Sequence, residues 1–347
     1  MTGGLRLRLP RLITLAGLCC AVGGGRPALH HHDATRLSMG CAYAIEAYGP
    51  DPRGTSRALE EALDEVDRID RLMSHYRADS PLSAINREAG RHALTVEREL
   101  FDFIASALEY GRQTGGAFDI TVGPLVKAWG FFGGEGRVPT GEALRAALRH
   151  VGLSRVSLDR ETRTIRFESP GVELDLGGIA KGYAVDRAVA RLRDRGIDAA
   201  LLSACGSTLY GLGAPPGRDG WSVAIQDPLD PRRSSGAVEL RDRALSIAGT
   251  SEKFFESDGV RYSHILDPRS GLPAQGVLGV VVMADTGTMA DALDTAFVVL
   301  GPDRSRGYFG KFSGVAACFL LPEADRGWTS VSIGESRIPG LACRAGP

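Results

Sequence analysis

No C-x-x-C pair recurs among the six cysteines of this 347-residue chain (Cys19, Cys20, Cys41, Cys205, Cys318, Cys343). Neither a zinc site nor a disulfide framework is signalled, and buried structural thiols are the expectation. Lysine and arginine nowhere gather into a block, and the formal net charge is −1. That removes the electrostatic footprint of a nucleic-acid binder and points to a small-molecule or protein partner. There is no internal repeat at solenoid or propeller periods and no low-complexity stretch. The Walker pattern GxxxxGK[ST], the Rossmann fingerprint GxGxxG and the nucleophile elbow GxSxG are all missing, so standard nucleotide folds and serine nucleophiles are not indicated. Cys205, in SACGS, has no neighbour that marks a reactive thiolate.

Long apolar runs are scarce as well. LITLAGLCCAV, which follows Arg6, Arg8 and Arg11, is too short to span a bilayer but suits the apolar region of a signal peptide. Residues 1–28 therefore read as a signal or membrane-targeting segment, and export is the expectation. The Cys19-Cys20 pair invites a lipoprotein reading, although the residues before either cysteine match the lipid-attachment pattern poorly. The run His30-His31-His32 reads as incidental rather than as a metal site.

What is present is an ordinary globular composition, 43% hydrophobic and 24% charged, enough for one large core or two modest ones. After the strand-like CAYAIEAY, residues 56–73 place Leu59, Leu63, Val66, Ile69 and Met73 at helical spacing, with Ser56 as the expected cap. A second helix is expected from Glu97 to Thr114, stopped by Gly115-Gly116, and a third from Thr140 to Val151, ended by Gly152. Between these two, GGAFDITVGPLVKAWGFFGG reads as an irregular, tightly packed loop. VSLD, TIRFE and VELDL read as strands. They are followed by a glycine turn, a helix over Ala180 to Arg195, and the strand ALLSACGS. Further strands are expected at WSVAIQDP, AVELRD, ALSIAG, RYSHILDP, LGVVVMAD, VAACFLL and WTSVSIG. A mixed α/β architecture with sheets flanked by helices is the simplest arrangement.

Three constellations carry chemistry. In VELDLGGIAKGYAVD a strand gives way to a helix across Gly177-Gly178. Backbone N–H groups there can face a phosphate, and Lys181 in the first turn can reach it as a point charge. A plain glycine turn with a solvated lysine fits equally well. In MADALDTAF, Asp291, Asp294 and Thr295 stand at i, i+3 and i+4, so their oxygens share one helical face. That is a ligand set for a hard cation such as Mg²⁺, completed by a phosphate; acids drawn to a helix start by its dipole are the alternative. In RYSHILDPRSG, His264 ends a strand before the Asp267-Pro268 turn.

Taken in order, SMGCAYAIEAYG, MSHYRADSPLSAIN, TGGAFDITVGPLVKAWGF, DLGGIAKGYAVD, RYSHILDPRSG and ADALDTAFVVLG resemble the ApbE family of FAD:protein FMN transferases, over about residues 38 to 301. The resemblance implies a mixed α/β, two-lobed fold with FAD in a cleft between the lobes. Residues 29–340 would form the transferase domain and 341–347 a tail. It implies that the FMN moiety of FAD passes to a Thr or Ser hydroxyl of an acceptor flavoprotein, in a D-G-x-[ST]-G-A-[ST]-like segment, with AMP leaving. Met39, Tyr76, Ala117, Phe118, Asp119, Asp175, Lys181, His264 and Ile265 match family positions that contact FAD. Asp291, Asp294, Thr295 and the Gly178 carbonyl match the Mg²⁺ positions. Asp291, Lys181 and His264 are the candidate catalytic residues, with Asp291 preferred as the group that takes the incoming hydroxyl's proton. Two stretches depart from the family pattern: Cys205-Gly206-Ser207 replaces a Gly-Gly pair with a polar follower, and Ala248-Gly249-Thr250 replaces Ser-Gly-Asp. The same site could let water attack instead, as an FAD pyrophosphatase, or bind FAD without turnover.

Overall fold

The structure, a computed structural model, describes residues 28–347 apart from 231, 325–326, 335–337, 339–340, 342–343 and 346–347. Apart from Ala28, the expected targeting segment lies outside the described residues, as do Cys19, Cys20 and Cys343. The order of elements is β1 (His30–Ser38), β2 (Cys41–Gly49), α1 (Pro52–Met73), α2 (Pro81–Glu88), β3 (Leu94–Thr95), α3 (Arg98–Gln113), α4 (Gly123–Ala128), α5 (Gly141–Leu148), β4 (Val156–Asp159) and β5 (Thr164–Phe167). There follow α6 (Ala180–Asp194), β6 (Ala199–Ala204), β7 (Thr208–Leu212), β8 (Trp221–Gln226), β9 (Ser234–Leu240), β10 (Arg243–Gly249), β11 (Phe254–Ser257) and β12 (Val260–Ser263). The chain closes with β13 (Gly279–Ala284), α7 (Gly287–Phe309), β14 (Ala316–Glu323), β15 (Gly327–Gly334) and β16 (Arg344–Ala345).

Nine strands make the main sheet, in the order β1-β2-β6-β7-β10-β13-β14-β15-β16. Neighbours run antiparallel except β15 and β16, which are parallel. The central strand β13, GVVVMA, is buried at every position. Side chains alternate across a strand, so this continuous apolar run requires cover on both faces. Val280, Val282 and Ala284 enter the larger core with α1, α3, α6 and α7, while Val281 and Met283 enter a second core under the β8–β9 hairpin. The hairpin itself alternates, with Trp221, Val223 and Ile225 buried and the residues between them exposed, because only its inner face is covered. A smaller body gathers Leu125, Trp129, Ala147 and Leu266 with Phe131, Phe255 and Tyr262, around α4, α5 and the β11–β12 hairpin.

Helix α6 is placed by ionic contacts as well as by apolar packing. The buried Glu65 of α1 accepts from Arg68 at 2.8 Å and from Arg187 of α6 at 3.1 Å, and Tyr183 Oη of α6 donates to Glu99 at 2.8 Å. These partners hold the Glu65 and Glu99 carboxyls below the usual range, against the opposing effect of burial.

Several expectations need correcting. Helix α1 starts at Pro52 behind the cap Asp51, whose side chain accepts from Arg53 N, so Ser56 lies inside the helix. Proline at the first helical position fixes φ and forfeits only an N–H that is unpaired there anyway, a signal stronger than the serine. The stretch expected as an irregular loop holds a 3-10 turn at Ile120–Val122 and the helix α4, where Pro124 again stands at a helix start. VELDL is not a strand: residues 172–176 run without regular pairing, and Asn86 satisfies the backbone of Leu174 through both its amide oxygen and its amide nitrogen. Helix α2 and strand β7 were not anticipated. Most consequentially, Cys41 and Cys205 are joined in a disulfide, and Cys318 is also disulfide-bonded.

Candidate active site

The site forms where α6 and α7 cross. A Cβ on Gly182 would stand 2.1 Å from the Gly287 carbonyl oxygen, and one on Gly287 would stand 2.7 Å from that of Gly182. Only two glycines permit this approach. Asp186 of α6 then caps α7 from outside, accepting from Gly287 N at 2.6 Å, Thr288 N at 2.9 Å and Thr288 Oγ1 at 2.6 Å, with Thr286 as the local cap. One turn further along, Asp291 Oδ2 accepts from Gly182 N at 2.9 Å, and its Oδ1 accepts from Thr208 Oγ1 at 3.4 Å.

Asp291 and Asp294 are both almost fully buried, at 3% and 2% exposure. Burial pushes the Asp291 carboxyl up, opposed by Lys181 and by the Gly182 N–H. Burial, and then the charge of Asp291, push Asp294 well above the ordinary range, opposed by a hydrogen bond from Ser246. Ser246 sits directly across the β7–β10 ladder from Thr208, their hydroxyls 3.0 Å apart. Thr295 Oγ1 lies 3.2 Å from Asp294 Oδ1, and a Cβ on Gly178 would meet that same hydroxyl at 3.2 Å. The glycine turn and the carboxylate face of α7 are therefore neighbours.

Two buried carboxyls that repel each other, beside a hydroxyl and an open glycine backbone, form an all-oxygen set whose charge calls for a cation. The donor set fits Mg²⁺. Among the described residues no group of three or more His, Cys, Asp and Glu side chains is placed to hold a metal. The remaining ligands have to be hydroxyl, carbonyl or substrate oxygens.

Lys181 donates to Ser207 Oγ at 2.7 Å, in the turn between β6 and β7. Its charge also opposes the burial-raised carboxyl of Glu252 and disfavours protonation of His264. Burial drives the His264 imidazole down to about 4. Its Nδ1 lies 3.0 Å from the Lys253 carbonyl oxygen, so Nδ1 carries the proton and Nε2 is left as an acceptor.

The remaining predicted residues divide into exposed or half-buried ones and ones packed in the core. Tyr76 is 59% exposed and stacks on Phe132, ring centres 5.0 Å apart, while His75 packs against both rings. Lys127 stands 5.1 Å above Phe132. This aromatic shelf is open to a planar ligand. Asp175 Oδ1 accepts from Gly177 N at 2.8 Å and so shapes the glycine turn; its Oδ2 is 3.5 Å from His75 Nε2. Met39 is half-buried in the two-residue turn between β1 and β2, where Met39 and Gly40 have φ of 51° and 77°. Both positive angles fit the hairpin twist, but the first is costly for a side-chain-bearing residue. Tyr43 Oη donates to Met39 Sδ at 3.0 Å.

Ala117, Phe118 and Ile265 are core residues by contrast, and Asp119 is spent internally. Its Oδ1 accepts from Thr121 N at 2.7 Å and Thr121 Oγ1 at 2.6 Å. Gly182, Asp186, Ser207, Thr208 and Ser246 support the site without having been singled out. Ser207 belongs to one of the two stretches that depart from the family pattern, and Gly182 and Asp186 lie within DLGGIAKGYAVD.

The ApbE family profile matches residues 39–319. The chain belongs to the ApbE family. It is 34% identical over 331 residues to the FAD:protein FMN transferase of Treponema pallidum, covering 90% of this chain and 91% of that protein. Among solved structures, the flavin transferase ApbE from Vibrio cholerae superposes with a TM-score of 0.78 at 29% identity, covering 90% of this chain and 100% of that one. The ApbE protein of Thermotoga maritima superposes at 0.77 with 32% identity, covering 84% and 94%. These family members share the mixed α/β fold expected from the motifs, and over nearly their full length.

Proposed function

We propose that this protein is a Mg²⁺-dependent transferase that moves the FMN moiety of FAD onto a Thr or Ser hydroxyl of an acceptor flavoprotein. The observation that carries the reading is the buried face of Asp291, Asp294 and Thr295 set against the Gly178 turn. Those three side chains and the Gly178 carbonyl would hold the ion. When bound, Mg²⁺ supplies charge neutralisation for a pyrophosphate, which phosphoryl-type transfer needs more than covalent help.

The chain's own groups account for the rest. Lys181 places a positive charge beside the carboxylate pair, aimed by Ser207. Tyr76 and Phe132 offer the flat apolar surface that suits the isoalloxazine ring. The acceptor hydroxyl oxygen forms a new bond to the FMN phosphorus, the pyrophosphate P–O bond breaks, and AMP leaves with the bridging oxygen. The hydroxyl proton passes to a site carboxylate. Asp291, which burial makes more basic, is the preferred acceptor, and His264 Nε2, on a ring 6.4 Å from that of Phe131 next to the shelf, is a second unprotonated base.

The same reading extends to location. Disulfides at Cys41–Cys205 and at Cys318 support folding in an oxidising compartment, in keeping with export to the cell envelope through the N-terminal segment. Among the described residues no helix is long and apolar enough to cross a membrane.

The test mixes the protein, FAD and Mg²⁺ with an acceptor carrying a D-G-x-[ST]-G-A-[ST] segment and looks for flavin fluorescence on the acceptor in a denaturing gel. Covalent fluorescence is expected with the wild type and is lost in Asp291→Ala. Release of FMN and AMP at the same rate with and without acceptor would instead establish hydrolysis.

A further inference from the structure

We propose that the Cys41–Cys205 crosslink is a positioning element for Lys181, acting through Ser207; this rests on the transferase reading above. Cys41 opens β2 directly after the Met39-Gly40 turn, and Cys205 opens the three-residue turn Cys205-Gly206-Ser207 that joins β6 to β7. The disulfide ties these two turns together across 164 residues of chain, with the Cα atoms 5.5 Å apart. Beside it, Cys205 N donates to the Ala42 carbonyl at 2.9 Å.

The far end of the second turn is anchored separately, where Ile247 N donates to the Ser207 carbonyl at 2.8 Å. Cys205 and Gly206 adopt φ of 58° and 73°, a region that a side-chain-bearing residue at 205 resists. Gly206 N reaches Ser203 Oγ at 3.2 Å, and Ser207 N and Oγ both donate to the Ala204 carbonyl, at 3.0 and 3.3 Å. On this turn hangs the contact that matters. The buried Ser207 Oγ accepts from Lys181 Nζ at 2.7 Å. A lysine ammonium rides on four flexible carbons, so the oxygen that receives it decides where its charge lies relative to Asp291, Glu252 and His264. The crosslink thus fixes the Cys205 end of a turn whose Ser207 end is held by Ile247, making the whole turn a mount for that oxygen, and it accounts for Cys205 standing where the family resemblance leads one to expect glycine.

A dithiol reductant reverses the constraint. It gives two electrons and two protons to the Cys41–Cys205 bond, leaving two thiols, and is itself oxidised to a disulfide.

The experiment measures kcat and KM for FAD in the flavin-transfer assay, together with FAD affinity by flavin fluorescence. It compares the full-length oxidised wild type, the same protein in dithiol, Cys41→Ser/Cys205→Ser, Ser207→Ala and Ser207→Thr. Displacing a charge by a fraction of an ångström predicts a fall in kcat of about 10-fold, with FAD affinity within about 2-fold, in the reduced wild type, the double variant and Ser207→Ala alike. Ser207→Thr, which keeps the hydroxyl, retains most of kcat. The double variant shows no further response to dithiol, which separates this bond from the one at Cys318. If the oxidised wild type transfers flavin and both the double variant and the reduced wild type match its kcat, the crosslink serves stability alone and the inference is overturned. A loss of activity in the double variant with no change in Ser207→Ala overturns the route through Ser207. Failure of the oxidised wild type to flavinylate any acceptor would remove the transferase reading itself, a result separable from the other two.

Discussion

Replacing Gly182 with alanine tests how far the site depends on the approach of α6 to α7. The new methyl carbon would stand 2.1 Å from the Gly287 carbonyl oxygen and 2.8 Å from Thr288 N, both backbone atoms that cannot swing aside. A carbon–oxygen contact settles at about 3.3 Å or more, so the two helices must part by roughly 1 Å. Overpacking of this kind costs about 1–3 kcal/mol. The separation also lengthens the Gly182 to Asp291 bond and the three bonds from Asp186 to the start of α7, and a hydrogen bond to a charged group contributes about 1.5–3 kcal/mol. Together these predict a loss of about 3–6 kcal/mol. That is severe against a total stability of about 5–15 kcal/mol, though not enough to abolish folding outright. At roughly 1.4 °C per kcal/mol for a chain of 347 residues, thermal unfolding should fall by about 4–8 °C. A misplacement of about 1 Å also predicts a transfer rate down by about 100-fold. Differential scanning calorimetry and the gel assay read both effects. Gly307→Ala, whose new Cβ meets nothing within 4 Å, is the control and should change neither. Wild-type melting and wild-type transfer in Gly182→Ala would refute the account of the helix crossing.

Two further predictions concern protons. Burial and the charge of Asp291 raise the Asp294 carboxyl above its unfolded value, so the metal-free fold holds its proton more tightly and loses stability as pH rises from acid through the folded value. Asp294→Asn should flatten that decline, raise the metal-free melting temperature at neutral pH, and abolish the Mg²⁺-induced stabilisation, about 2.7 kcal/mol at 100 times Kd for the wild type; a Mg²⁺ response that survives the substitution would remove Asp294 from the ligand set. His264 shifts the other way, from 6.5 down to about 4. The fold then binds fewer protons than the unfolded chain between these values, and stability is lost as pH falls through that window. His264→Asn should make acid unfolding shallower there, and an unchanged acid limb would show that the imidazole is not buried as described.

Elements with a single strong local signal were legible in the sequence. Arg98–Gln113 and Ala180–Asp194 matched their periodicity and glycine stops to within a residue or two, and the acidic face of α7 could be read from the i, i+3, i+4 spacing alone. The misses have physical reasons. VELDL has a strand's composition, yet its backbone is satisfied by the Asn86 side chain, a partner 88 residues away that no local pattern reports. Ser56 lost to Asp51 because Pro52 fixed the helix start. The Cys41–Cys205 bond was invisible for the same reason as the Thr208 and Ser246 hydroxyls beneath the carboxylates: each depends on which turns and strands the sheet brings side by side. The family motifs give no sign that Asp119 accepts from Thr121 or that Phe118 is buried, because both depend on how the 3-10 turn at Ile120–Val122 packs.

The contacts that assemble the site are widely separated along the chain: Gly182 to Asp291 spans 109 residues, Asp186 to Thr288 spans 102, and Thr208 to Asp291 spans 83. Closing such loops is slow relative to forming local helices, so sites of this kind mature late in folding. Until α7 has been made and docked, Asp186 has no helix to cap and Gly182 no carboxylate to meet. On the proposed ligand set, a chain emerging residue by residue would pass through most of its length unable to hold a divalent ion, and would acquire that ability only when the segment from Gly287 onward closes over α6. Capture of the ion would then act as a proofreading step on the completed fold, latching the last helix in place.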